Sequence, residues 1–151
     1  MSMRVVIRSR LPVSKSAMLG LLRQGSTLSF VAKGIISYDS VPEKFVEGVN
    51  YNIRPRLFGI FPADDHHVTF TEIDEPNGII RTEEESNAIT SWLHTMEVTQ
   101  VDKQTCEYTD VVTIDAGRMT VIFWLFALLF YRHRHRRWRN VFAKMHLNST
   151  L

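Results

Sequence analysis

The chain has 151 residues, of which 44% are hydrophobic and 23% are charged, a size and composition typical of one globular domain. Its single cysteine, Cys106, excludes an internal disulfide framework and any cysteine-rich zinc module. The formal net charge of +2 is unevenly distributed, because seven basic and no acidic residues lie from Arg118 onward, against 11 basic and 16 acidic residues before it. The positive charge is therefore local, and we expect no nucleic-acid partner.

The N-terminal part of the chain predicts one strand and two short helices. Apolar residues that alternate with arginines over residues 3–11 are typical of a strand with one polar face. Ser14 is well placed to cap a short helix, which we expect Gly25 to end before a second short helix begins. Gly34 is expected to end that second helix, and a further strand is predicted at residues 35–38.

From residue 51 onward, alternating polarity predicts about six antiparallel strands joined by tight turns. Residues 51–61 alternate in this way, and Pro55 within them indicates an edge strand or a bulged one. The sequence Pro76-Asn77-Gly78 indicates a hairpin, and the acidic run over residues 83–85 is interpreted as a solvated strand edge. The last two strands each collect residues on one face, namely Trp92, His94, Met96 and Val98 on the first, and Cys106, Tyr108, Asp110, Val112 and Ile114 on the second.

One long helix is predicted from Arg118 to Met145, followed by a short tail over residues 146–151. Its apolar run, residues 119–131, would span about 20 Å at 1.5 Å per residue, whereas the hydrocarbon core of a bilayer is about 30 Å thick. We therefore expect a helix buried in a protein core rather than a membrane span. The order of strand, two short helices, antiparallel strands and long helix indicates an α+β fold, with a single domain over residues 1–145.

The sequence lacks the common catalytic and cofactor motifs. It contains no GxGxxG, GxxxxGK[ST], HExxH or GxSxG pattern, so we expect no cofactor. His66 and His67 would face opposite sides of a strand and could not readily bind one ion, so no metal site is expected. The first eight residues lack the apolar stretch of a secretory signal, and a lone cysteine is typical of a reducing compartment, so we expect a cytoplasmic protein.

His94, Tyr108 and Asp110 lie on strand faces that would point toward the long helix. Leaving a buried polar group unpaired costs about 1–3 kcal/mol, so these side chains need partners. They could satisfy one another as a structural network, with Arg54 or Arg56 as a further partner. They could instead orient a ligand in an apolar pocket, or His94 could transfer protons while Asp110 fixes its tautomer.

A basic run over residues 132–139 follows the apolar part of the long helix. The simplest interpretation is a solvated helix end, because cations complement the helix dipole and arginine stems cover apolar surface. The alternative is peripheral contact with an anionic membrane. The residues that would make this contact are Arg132, Arg134, Arg136, Arg137 and Arg139.

Three stretches carry a resemblance to a known superfamily: Ser-Lys-Ser-Ala-Met-Leu-Gly-Leu-Leu over residues 14–22, Trp-Leu-His over residues 92–94, and Tyr-Thr-Asp-Val-Val-Thr-Ile-Asp-Ala-Gly over residues 108–117. Together with the element order, they resemble the START-like (SRPBCC) superfamily, which includes birch-pollen-type allergens, lipid-transfer START domains and polyketide cyclases. The resemblance implies a helix-grip fold, in which a curved, seven-stranded antiparallel sheet wraps around the C-terminal helix and encloses a cavity for an apolar ligand. Two features depart from the pattern, namely the many aromatic residues of the helix, which could fill the cavity, and its basic end.

We therefore expect a protein that binds an apolar or amphipathic small molecule, lipid or polyketide-like, in an internal cavity. The long helix, residues 28–31 and the loop at residues 45–46 would wall this cavity. The alternatives are an enzyme of the polyketide cyclase or dehydratase kind, with His94 as acid/base and Asp110 as its orienter, and a membrane-surface protein that uses the basic helix end. The residues expected to contact the ligand are Trp92, His94, Met96, Tyr108, Asp110, Phe30, Tyr51 and Phe123.

Overall fold

The computed structural model describes residues 1–149 and shows the predicted order of elements. The first elements are β1 (Met3–Leu11), α1 (Lys15–Leu22), α2 (Gly25–Ala32), β2 (Ile36–Tyr38), β3 (Asn50–Ile53), β4 (Pro55–Leu57) and β5 (Phe61–Pro62). The elements that follow are β6 (His66–Asp74), β7 (Ile79–Ser86), β8 (Ile89–Asp102), β9 (Thr105–Asp115), a short 3-10 turn (Gly117–Met119) and α3 (Thr120–Ser149). A curved antiparallel sheet and a long C-terminal helix, with two short helices after the first strand, confirm the predicted helix-grip fold.

The main sheet has six strands in the order β1-β9-β8-β7-β6-β3, and all of its pairs are antiparallel. The expectation of seven strands is therefore wrong. The strand predicted over residues 51–61 is divided, since β3 ends at Ile53 and Pro55 begins β4 in a second sheet of order β2-β4-β5. Proline has no backbone N–H to donate to a neighbouring strand, which explains why the main sheet stops here.

The inner face of β9 is fully buried, as its alternation predicts. Cys106, Tyr108, Asp110, Val112 and Ile114 each have 0% of their surface exposed. Antiparallel pairing sets β9 between β1 and β8, and α3 packs against β1 and β9. This arrangement places the helix against the β1–β9 side of the sheet, and side chains of β8, β9 and α3 meet in the core.

The two short helices begin and end for different local reasons. The Ser14 hydroxyl accepts a hydrogen bond from the Ala17 N–H at 3.2 Å, which confirms its predicted role as the cap of α1. The prediction that Gly25 ends this helix is wrong, because Gly25 is the first residue of α2. A Cβ at that position would overlap the carbonyl oxygen of Pro42, so glycine serves here for close packing.

The long helix begins at Thr120, whose hydroxyl bonds the preceding turn, and it extends further than the sequence predicts. The Thr120 side chain accepts a hydrogen bond from the Ala116 N–H at 3.0 Å and donates one to the Gly117 carbonyl at 2.7 Å. α3 then continues to Ser149, so residues 146–149 of the predicted tail are helical, while residues 150–151 lie outside the described residues. Within the described chain, no helix is both long and apolar enough to cross a membrane.

Candidate functional site

A cavity of about 560 Å³ lies between the sheet, α3 and the segment that carries α2 and the small sheet. Most of its lining is apolar, and includes Val31, Ile53, Phe70, Met96, Phe126 and Trp138. Four lining residues are exposed to solvent and so mark its mouth: Ala63, Asp64, Ala88 and Ile122. The aromatic residues of α3 therefore line this space without filling it. Its volume lies in the range of about 300–1,000 Å³ that is usual for small-molecule sites.

Half of the residues predicted to contact a ligand line this cavity. They are Trp92, His94, Met96 and Phe123. Tyr108 and Asp110 lie behind the wall, fully buried beneath His94.

Phe30 and Tyr51 are not among the residues that line the cavity. Phe30 is 48% exposed and packs under the Arg137 guanidinium, whose carbon lies 4.5 Å from the ring centre. The Tyr51 hydroxyl accepts a hydrogen bond from the Val46 N–H at 2.9 Å, and its ring packs edge-on against Phe45. Phe30 thus lies on the outer surface of α2, and Tyr51 lies behind Phe45, which lines the cavity.

The Asp110 carboxylate lies at the centre of a buried hydrogen-bond network. One oxygen accepts from His94 Nε2 at 2.5 Å and from the Tyr108 hydroxyl at 2.6 Å. The other oxygen accepts from His135 Nε2 at 2.8 Å. The partners of Asp110 therefore come from β8, β9 and α3, and neither Arg54 nor Arg56 is among them.

Ser9 links His135 to Arg139. Arg139 can only donate, and its guanidinium lies 2.8 Å from Ser9 Oγ. Ser9 Oγ lies 2.7 Å from His135 Nδ1, while Nε2 of the same ring bonds Asp110. The carboxylate thus receives three donors, and this full set of partners is what a buried charge requires.

The same bond orients His94 toward the cavity. Because His94 Nε2 bonds Asp110, Nδ1 is the ring nitrogen that this bond leaves free. Nδ1 lies 3.5 Å from the Tyr131 hydroxyl and 3.9 Å from a Glu84 oxygen. Burial by itself would raise the pKa of Asp110, but the neighbouring His94 charge and the hydrogen bonds from His135 and His94 hold that pKa well below its usual value. The carboxylate therefore stays ionised and keeps the ring in place.

A second, partly buried pair joins Glu84 and His66, both of which line the cavity. Their side chains meet at 2.7 Å. Burial would lower the pKa of His66, but the hydrogen bond to Glu84 and its charge raise that pKa above the usual value. Burial would likewise raise the pKa of Glu84, but His66 holds it below its usual value. The interpretation of the acidic run as a solvated edge is thus wrong for Glu84, because β7 is an inner strand and alternation turns this side chain inward.

Arg134 lines the cavity from α3, although the sequence predicts a solvated helix end, with contact to an anionic membrane as the alternative. It is only 5% exposed, and its guanidinium carbon lies 5.1 Å from the centre of the Tyr131 ring. Its burial removes Arg134 from the arginines that could touch a membrane surface, whereas Arg132, Arg136 and Arg139 are exposed.

A signal for the inward residues of α3 was present in the sequence. Tyr131, His135 and Trp138 follow at spacings of four and three, the period of one helix face. Arg134 lies three residues after Tyr131 and four before Trp138, and so belongs to the same face. Because Arg134 is charged and lies within a run of arginines, the sequence predicts a solvated helix end there and not this inward position.

The comparisons with known proteins bear on family and fold. Residues 45–142 match the family model of a domain of unknown function, DUF8410. The chain belongs to the DUF8410 family. This match covers every strand from β3 to β9 and most of α3, and so includes His94, Asp110 and Arg134. Comparison with curated proteins finds no significant match.

The solved structures that resemble this DUF8410 protein show the START-like fold. A point mutant of norcoclaurine synthase from Thalictrum flavum has a TM-score of 0.73 at 8% identity, with 96% of both chains covered. The Zhui aromatase/cyclase from Streptomyces sp. R1128 has a TM-score of 0.70 at 6% identity, with 95% of both chains covered. Ara h 8.0201 has a TM-score of 0.71 at 10% identity, covering 95% of this chain and 99% of that one. The resemblance stated from the sequence is confirmed at the level of fold.

Proposed function

We propose that the protein binds an apolar or amphipathic small molecule, of the lipid or polyketide-like class, in the cavity beneath α3. The observation that carries this proposal is the cavity of about 560 Å³ with a largely apolar lining and a few polar side chains. Burying apolar ligand surface against such a wall contributes roughly 25 cal/mol per Å². The fold supports the same conclusion, since norcoclaurine synthase, which shares it, has been solved with dopamine and hydroxybenzaldehyde bound.

The first test is native mass spectrometry of protein purified from its own host, followed by organic extraction of what is bound. We expect a mass shift that disappears on extraction and an apolar or amphipathic compound in the organic phase. A probe experiment accompanies it, in which the uncharged dye N-phenyl-1-naphthylamine gains fluorescence on entering an apolar site.

A matched pair of variants ties that dye to the cavity. Leu28 lines the cavity from α2, and Leu28→Trp would fill part of it. Leu129 is 63% exposed on α3, so Leu129→Trp adds the same side chain outside. We expect Leu28→Trp to weaken dye binding at least about tenfold and Leu129→Trp to leave it unchanged. Equal binding to both variants, or no binding to the unsubstituted protein, would contradict the proposal.

A second candidate function is catalysis of a cyclisation or dehydration in the same cavity, and the orientation of His94 favours it. Nδ1 could take a proton from a carbon next to a ligand carbonyl and return it to a departing hydroxyl, which leaves as water. Asp110 would keep the ring in one tautomer throughout.

The reaction is tested with the extracted compound and with hydroxylated polyketide substrates, by following the loss of one water by mass spectrometry. General acid–base catalysis is worth about 10²–10⁴ in rate, so His94→Gln should lower turnover by this factor. His67→Gln is the control, because His67 bonds Asn50 at the outer side of β6. Unchanged turnover in His94→Gln would remove this proposal and leave ligand binding intact.

A further inference from the structure

The cavity contains one cation, Arg134, that makes no direct ion pair among the described residues. Arg134 lines the cavity and is 5% exposed, and among the described residues no carboxylate lies within 4.0 Å of its guanidinium nitrogens. Its Nε is buried and has no hydrogen-bond partner there. A buried arginine without a partner is costly, because its charge has left water without gaining a counter-ion.

The two carboxylates nearest to Arg134 are engaged elsewhere. Both Asp110 and Glu84 are close enough for the Arg134 charge to lower their pKa values. Asp110 accepts three hydrogen bonds, and Glu84 is bonded to His66 at 2.7 Å. Of the other polar groups at the cavity, His94 bonds Asp110, and Asp64 lies exposed at the mouth. Arg134 therefore has no anionic partner within the wall.

The surroundings of Arg134 favour an oxygen-rich group of a ligand. The rings of Tyr131 and Phe130 lie 5.1 and 5.8 Å from its guanidinium carbon and hold its plane by cation–π contact. Tyr38 also lines the cavity, and burial raises its pKa, so its hydroxyl stays a donor. The indole N–H of Trp138 has no partner either. The unmatched groups at the cavity are thus donors, and the missing partner is an acceptor.

We propose that the ligand of this cavity is an amphipathic carboxylate whose acidic head binds Arg134 and whose apolar body fills the rest of the cavity. This inference rests on the proposed function of ligand binding. A guanidinium presents two parallel N–H donors to a carboxylate, and such charge-assisted pairs are about twice as strong as neutral hydrogen bonds. The apolar lining toward the mouth, which includes Phe123 and Ile122, would contact the body of the ligand.

The test compares two competitors that differ only in their head group. Decanoate and 1-decanol are each used to displace N-phenyl-1-naphthylamine from the cavity. The ratio of their inhibition constants measures how much the negative charge of the head group contributes to binding. The variant Arg134→Met removes the cation and keeps much of the apolar stem. Arg132→Met is the control, because Arg132 is an exposed arginine on the same helix.

We expect the unsubstituted protein to prefer decanoate, and Arg134→Met to lower that preference about tenfold or more. Arg132→Met should change it by less than about twofold. If the dye binds and Arg134→Met leaves the preference unchanged, this inference is wrong and ligand binding stands. If neither the dye nor either competitor binds the unsubstituted protein, the proposed function itself is wrong.

A second measurement follows the Arg134 side chain of the unsubstituted protein directly. In the unsubstituted protein labelled with ¹⁵N-arginine, decanoate should shift the Nε–H resonance of Arg134, and 1-decanol should shift it much less. The resonance is assigned by its loss in Arg134→Lys, which keeps the charge. Equal shifts with both compounds would contradict a carboxylate at this position.

Discussion

Replacing Asp110 by leucine tests whether the buried carboxylate holds β8, β9 and α3 together. Leucine is similar in size but accepts no hydrogen bond, so Asp110→Leu leaves the donors of His94, Tyr108 and His135 facing an apolar group. Each buried donor left unpaired costs about 1–3 kcal/mol. The sum is about 3–9 kcal/mol, a large share of the roughly 5–15 kcal/mol by which a domain is stable.

The assay is urea unfolding followed by tryptophan fluorescence, with two reference variants. Tyr108→Phe removes one of the three donors and leaves the carboxylate bonded to both histidines, so it should cost about 1.5–3 kcal/mol. Glu97 is an exposed side chain of β8, and Glu97→Gln should stay within about 0.5 kcal/mol. A cost for Asp110→Leu below that for Tyr108→Phe would refute the view that the three donors depend on this carboxylate.

Two further predictions concern pH and packing. Because the folded-state pKa of His66 is raised above 6.5, its pairing with Glu84 stabilises the protein fully below that pH and is lost as pH rises through the raised value. The urea midpoint should therefore fall with increasing pH above 6.5, and less so in His66→Gln; equal slopes would contradict the pairing. Gly25→Ala places a Cβ against the Pro42 carbonyl and should lower the melting temperature, whereas Gly20→Ala has open space and should raise stability by about 0.5–1 kcal/mol. Thermal melts that rank the two variants the other way would contradict the packing.

Strand faces were the part of the fold that the sequence predicted best. Along β9 every second residue is apolar except Tyr108 and Asp110, so the period of two alone placed both in the core. The partners of Asp110 were harder to find. His135 lies 25 residues away from it, and Ser9, which bonds His135, lies 126 residues from that histidine. Only the docking of α3 against β1 brings these side chains together.

The failures have local physical causes. The alternation over residues 51–61 continued through Pro55, and periodicity cannot show that the chain changes sheets there. Glycine is typical of helix C-termini, which is why the sequence predicts that Gly25 ends α1. Its close contact with Pro42 arises from tertiary packing, which the local sequence of a helix does not show. The basic run around Arg134 predicted an exposed side chain. Its burial is evident only in the structure, where Tyr131 and Trp138 define the inward face of α3.

The position of β1 has a consequence for synthesis of the chain. β1 is an edge strand whose only partner in the main sheet is β9, with Met3 opposite Ile114 and Leu11 opposite Cys106. β1 therefore cannot pair until the chain has been made as far as β9, and such distant contacts slow folding. Arg4, Arg8 and Arg10 hold three of its four exposed positions, and Val6 holds the other. Charges spaced in this way discourage pairing with other chains, so the arginines of β1 protect a nascent protein as well as a finished edge.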